Sequence, residues 1–313
     1  MSNFKLKRLG LIAGLSLSLV VAGCGQGDTE DTTNNTTNNE SEATTNVSEE
    51  MEYTITGIEP GAGQTENTLN ALEEYESLAG WELNSTSTAA MLTQLDEAIK
   101  NEEPIVVTAW SPHYKFAKYD LKYLEDPKGV FGELESVTTI TRNGLKEEMP
   151  KAHTILDRIH FELPEIEAAL LEATKMDFDY EKVAQQWVDN NQETVAKWTE
   201  GVEPANGTSI KIASTVWDDM LFTGNVAKVV MEQHGFDVTY TSVDPAILFE
   251  AIAAGDADAT LSPWLPATHG ALYEEYKGKF EDLGANMDEG KIGLAVPTYM
   301  ENINSIEDLE PKE

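Results

Sequence analysis

The sequence predicts an α/β protein of two similar lobes. Three observations carry this. Strand and helix signals alternate in βαβαβ order from residue 53, which argues for parallel strands. The same order returns from residue 208, about 155 residues later in register. Both copies also close on one pattern: a tryptophan ends the third strand, a proline follows two residues on, and a histidine comes next. The matching sets are Trp110, Pro112 and His113 in "VVTAWSPHYKFAKYDL", and Trp264, Pro266 and His269 in "TLSPWLPATHGALYEEY". An internal repeat of this kind is a strong organisational signal.

Taken in order, "YTITGIEP" is β-branched and alternating, a strand pattern. "GAGQTEN" is a glycine-rich turn into the helical run "TLNALEEYESLAG". "WELNSTS" gives the next strand. "TAAMLTQLDEAIKNEE" places Met91, Leu92, Leu95 and Ile99 at helical spacing. "PIVVTAW" is a short strand of the buried type. Residues 146–204 break the alternation: "LPEIEAALLEATKM" and "DYEKVAQQWVDNNQETVAKWTEGV" are helix-like and amphipathic. Trp187 and Trp198 fall inside those patterns and read as packing residues. The second copy then runs "SIKIASTVW", "LFTGNVAKVVMEQHG" closing on Gly235, "FDVTYTSV", "DPAILFEAIAAGD" and "ADATLSPW".

The N-terminus carries Lys5, Lys7 and Arg8 and then the apolar run "LGLIAGLSLSLVVAG". That run is shorter than the ~20 residues of a spanning helix and has the layout of a signal peptide over 1–23. It ends in Val21-Ala22-Gly23-Cys24, which resembles a bacterial lipobox and implies cleavage before a lipidated Cys24. Cys24 is the single cysteine, so no intrachain disulfide is available. Residues 24–50 are acidic and polar, with one sizeable apolar side chain, Val47. They read as a disordered tether between a membrane surface and the folded body.

Composition excludes some function classes. The formal charge is −35, with 56 acidic side chains against 21 basic ones. Affinity for phosphate comes from Lys and Arg, so a nucleic-acid partner is not expected. There is no dinucleotide fingerprint, no "GxSxG" and no thiol in the body, so no enzyme and no cofactor are expected. His153, Asp157 and His160 have spacings of four and three, but no closed set of metal ligands stands out.

Two α/β lobes have one natural ligand position, the cleft where the carboxyl ends of the strands meet. Trp110, Trp217 and Trp264 all stand near strand ends. Each alone reads equally well as a plug of its lobe. Together, their π-faces can cage a quaternary ammonium group, which has no N–H to donate. The neighbouring prolines stiffen that wall. "PGAGQTEN" offers free N–H groups at a helix start, a site for an anion, and His269 is a second donor. A cation cage opposite an anion pocket describes a small zwitterion.

At this point the body resembles the substrate-binding lipoproteins of glycine betaine ABC importers, of the OpuA type. The resemblance spans about 52–312 and rests on "GIEPGAGQ", "VVTAWSPHYKF", "KYLEDPK", "TITRNG", "VWDDM", "LSPWLPATH", "GLAVPTYM" and "NINSIEDL". It implies the type II periplasmic-binding-protein fold: two α/β lobes with a ligand cleft and hinge, 52–140 plus 285–313 against 141–284. It places the cage on Trp110, Trp217 and Trp264. The carboxylate donors fall on the His269 side chain and the backbone N–H groups of Gly63 and Gln64. Gln64 stands where the family more usually has an apolar residue, and Pro263 is also less usual. His113 is assigned support rather than contact. The implied partners are a membrane permease and its ATPase, and the implied place of this chain is the extracytoplasmic face of the cell membrane, reached through the lipid anchor. Choline, carnitine, proline betaine and sulfonium analogues remain open as ligands of the same class, although the anion site argues against choline.

Overall fold

A computed structural model describes residues 46–313. The expected signal peptide, Cys24 and tether up to residue 45 lie outside the described residues. The body begins earlier than the expected boundary at residue 50. Asn46 starts α1 (Val47–Glu50), its side chain accepting the Ser48 N–H at 2.8 Å. The Ser48 hydroxyl in turn accepts the Glu310 N–H at 2.9 Å. These residues are held by polar capping, which a count of apolar side chains does not register.

The first copy follows in the expected order: β1 (Thr54–Gly57), α2 (Gly63–Glu74), β2 (Glu82–Ser85), α3 (Thr88–Asn101) and β3 (Val106–Ser111). Ser87 caps α3, and Met91 and Leu95 are buried along its inner face. Next come α4 (Tyr114–Lys118), β4 (Leu121–Tyr123) and β5 (Glu135–Arg142). The helical stretch resolves into α5 (Leu145–Glu148), α6 (Pro150–Arg158), α7 (Leu163–Ala173), α8 (Tyr180–Asn190) and α9 (Gln192–Thr199). Trp187 and Trp198 stack at 5.7 Å with 15° between planes, and Phe161 packs against both. They are core residues, as expected from their place in the amphipathic pattern.

The second copy is β6 (Thr208–Ser214), α10 (Asp218–Gln233), β7 (Phe236–Ser242), α11 (Pro245–Ala254) and β8 (Ala259–Thr260). Gly235 takes φ +89° just after α10, the left-handed conformation a helix end requires. After β8 come β9 (Trp264–Leu265), α12 (Gly270–Glu275) and β10 (Phe280–Pro297).

All ten strands form one sheet in the order β2-β1-β3-β10-β5-β8-β6-β7, with β4 beside β10 and β9 beside β5. Within each copy the strands are parallel and ordered second, first, third. The expected parallel arrangement therefore holds inside the copies. Between them run two antiparallel strands, β5 and β10. The 18-residue β10 pairs with β5 through residues 280–290 and with β3 and β4 through 291–297. Its register against β5 shifts at three places.

One expectation is corrected. Trp264 does not end a continuous third strand, because β8 stops at Thr260. Pro263 has no N–H for the ladder. Its carbonyl instead accepts the Thr138 N–H of β5 at 2.8 Å, and Trp264 opens β9 against β5. Trp264 thus reaches its place from a different strand of the same sheet.

Candidate functional site

The three tryptophans converge. Trp110 is the second-last residue of β3. Trp217 is the N-cap of α10, three residues beyond β6, and Trp264 opens β9. All are buried, and all line one cavity together with Gly63, Gln64 and His269. The free space between these residues is tight, so the site suits a small molecule. Trp264 is seated by a close backbone approach. A Cβ on Gly290 would lie 2.5 Å from its ring, so no larger residue fits there without moving the wall.

In the same cavity, Gly63 and Gln64 are the first two residues of α2. The first N–H groups of a helix have no intrahelical partner, and Ala62 at the N-cap supplies no side chain to satisfy them. They are donors for an anion, aided by the helix dipole. The Gln64 side chain is turned away from this task. Its Nε2 donates to the Ala109 carbonyl at 2.6 Å and the Gly293 carbonyl at 2.9 Å. It ties α2 to β3 and β10, so the polar residue at this position holds the helix start in place.

His269 is buried, and its Nδ1 accepts the Trp264 N–H at 2.9 Å. That bond fixes the tautomer: the proton sits on Nε2, which has no partner among the described residues. Burial pulls its pKa down to about 4, so the ring is neutral near pH 7 and remains a donor. Glu135 of β5 holds the surrounding loop, accepting the Ala267 and Thr268 N–H groups at 2.7 and 2.8 Å and the Thr268 hydroxyl. The loop meets α2 directly. A Cβ on Gly63 would lie 2.0 Å from the Thr268 carbonyl oxygen, so only glycine allows this approach.

His113 supports the wall, as expected. Its ring packs edge-on against Trp110 at 4.5 Å, and its Nδ1 accepts the Lys115 N–H. Its Nε2 lies 3.3 Å from Asp218. Two residues that the sequence reading passed over also stand here. Lys115 is fully buried with Nζ 3.8 Å from the Trp110 ring centre, on the indole itself. Asp219 lines the cavity. Both sit beside motif tryptophans, but an acidic first turn and a basic last turn are what any helix prefers, so neither stood out. Elsewhere, His153 pairs with Glu281 at 3.3 Å and His160 with Asp288 at 4.0 Å. Among the described residues no three metal-ligating side chains cluster.

The model of one protein family, the substrate binding domain of the ABC-type glycine betaine transport system, matches residues 31–190 and 208–313. The chain belongs to this family. The type II binding-protein fold follows, and the chain is the substrate-binding protein of an ABC importer rather than an enzyme. It works outside the cytoplasm and hands ligand to a permease powered by an ATPase. The glycine betaine/carnitine transport binding protein GbuC of Listeria monocytogenes is 44% identical over 270 residues, covering 86% of this chain and 90% of that one. Lactococcal OpuAC, solved closed with glycine betaine, is 40% identical with a TM-score of 0.43, over 47% of this chain and 58% of that one. A glycine betaine/L-proline-binding protein of Borrelia burgdorferi is 32% identical with a TM-score of 0.47, over 49% and 58%.

Proposed function

We propose that the chain captures glycine betaine for osmoprotectant uptake, with the trimethylammonium group among Trp110, Trp217 and Trp264 and the carboxylate at His269 Nε2 and the N–H groups of Gly63 and Gln64. The observation that carries this reading is the one cavity that three tryptophans line together with two kinds of unpaired donor. Each cation–π face contributes roughly 1–2 kcal/mol when desolvated. Each charge-assisted hydrogen bond adds about 1.5–3 kcal/mol. After the costs of ordering, the sum accommodates the roughly −8 kcal/mol of micromolar binding.

The two lobes are 52–140 plus 285–313 and 141–284. Both boundaries fall within the crossing strands, β5 and β10, which supports reading these strands as the hinge. Gly63 and Trp110 then close against Trp217, Trp264 and His269. Cys24 anchors the chain through lipid, and the segment beyond it spaces the body from the membrane. The relative named for glycine betaine and carnitine makes carnitine the second ligand to examine.

Calorimetric titration with glycine betaine, carnitine, proline betaine, a sulfonium analogue and choline tests the reading. Saturable one-to-one binding of glycine betaine, with choline much weaker, is the expected result. Choline binding best would keep the cage and remove the carboxylate pocket. Binding of none would sink the ligand assignment.

A further inference from the structure

Asp219 is the second residue of α10, two after Trp217, and it lines the cavity while being 1% exposed. Neither carboxylate oxygen has a hydrogen-bond partner among the described residues. The Asp219 and Met220 N–H groups and the Trp110 indole N–H face the carboxylate and favour its charge, but none reaches bonding geometry. The remaining titratable neighbours do not bond to it. Lys115 of α4 lies on the Trp110 ring and donates to the Trp110 carbonyl at 3.3 Å; it lies near enough to feel Asp218 and Asp219, but burial holds its pKa well below the usual lysine range. Asp218 on the same helix faces His113, and Tyr180 of α8 neighbours both aspartates. His269, across the cavity, is neutral and bonded to the Trp264 N–H. A buried carboxylate without partner is costly unless a cation arrives. Burial first, then repulsion from Asp218, pushes this carboxyl up to about 7.

We propose that Asp219 is the counter-charge of the cavity, a specificity-determining carboxylate that the cationic head of the bound zwitterion neutralises. The inference deepens the betaine reading and rests on it. The indole faces attract a cation through their quadrupole, but they also accept a neutral group of the same shape. Asp219 does not. A neutral head leaves the carboxylate buried and unpaired, or forces a proton onto it, and the site rejects such a ligand. An empty, closed cavity carries the same penalty, so closure is favoured by a charge in the cage and not by shape alone.

Glycine betaine and tert-butylacetate share a carboxylate and three methyl groups and differ in one atom, a quaternary nitrogen against a carbon. Both are titrated into the full chain and its Asp219→Asn variant near pH 8, where Asp219 is ionised. The variant should lose about tenfold or more in betaine affinity while binding tert-butylacetate as well as or better than before, narrowing the preference at least about tenfold. Equal weakening of both ligands, or no change, overturns the inference and leaves the betaine reading standing. Failure of the wild type to bind betaine overturns the reading instead. Should the variant not fold, the wild type near pH 6 decides: partial protonation of Asp219 must narrow the preference relative to pH 8, and a constant ratio refutes the role.

Discussion

Trp264 and Trp187 are both buried tryptophans, yet they should fail differently. Trp264→Ala removes a cage wall worth roughly 1–2 kcal/mol, so calorimetry should show betaine affinity falling about tenfold or more. Trp187→Ala empties a site stacked on Trp198 and should cost about 3–5 kcal/mol of stability, with affinity changed less than about threefold. Equal affinity losses in the two variants would remove the cage assignment. His269 sets a pH dependence. Its folded pKa lies near 4, below the free value of 6.5, so the unfolded chain takes up this proton first as pH falls. The contribution is nil above about pH 6.5 and grows to a loss of about 3 kcal/mol by pH 4. Urea titrations should find His269→Gln less acid-sensitive than the wild type by that order. Trp110, Trp264 and His269 were legible because the repeat marks them, and Trp217 only by its place near a strand end. Asp219 was not, because its position at a helix start gives an ordinary reason for an acid to be there.

The approach of α2 to the 266–269 loop depends on Gly63. Gly63→Ala places a methyl group 2.0 Å from the Thr268 carbonyl oxygen, and either the helix or the loop must retreat. Betaine affinity should fall more than about tenfold, while the melting temperature of the free protein moves little. A variant that binds normally would show that the two segments do not need this contact. At this scale the strands and helices of both copies were readable from periodicity. The strand β10 was not. "FEDLGANMDEGKIGLAVP" opens with mixed exposure, changes register three times, and becomes continuously buried only near its end. Its pairing is set by what lies on either side, which no local pattern encodes. The break between β8 and β9 was hidden for a related reason: Pro263 interrupts the ladder while the run still looks apolar.

For the whole molecule, the formal charge of −35 makes self-repulsion a standing cost. Added salt screens it over about 10 Å at 0.1 M. Stability should therefore rise with salt, and a melting temperature that fell would contradict this. Betaine carries no net charge, so its affinity should change less than about threefold over the same range. The two-copy plan was visible in the sequence as matching tryptophan, proline and histidine positions. The way the copies join was not, and it has its own consequence. Two adjacent strands sharing one ladder bend readily, but they slide past each other only by breaking hydrogen bonds. The shifts in β10 lie along that shared stretch and lend it slack. As the hinge proposed above, the pair would act as a leaf spring with one soft direction, leaving the cleft a single swinging door for entry and exit.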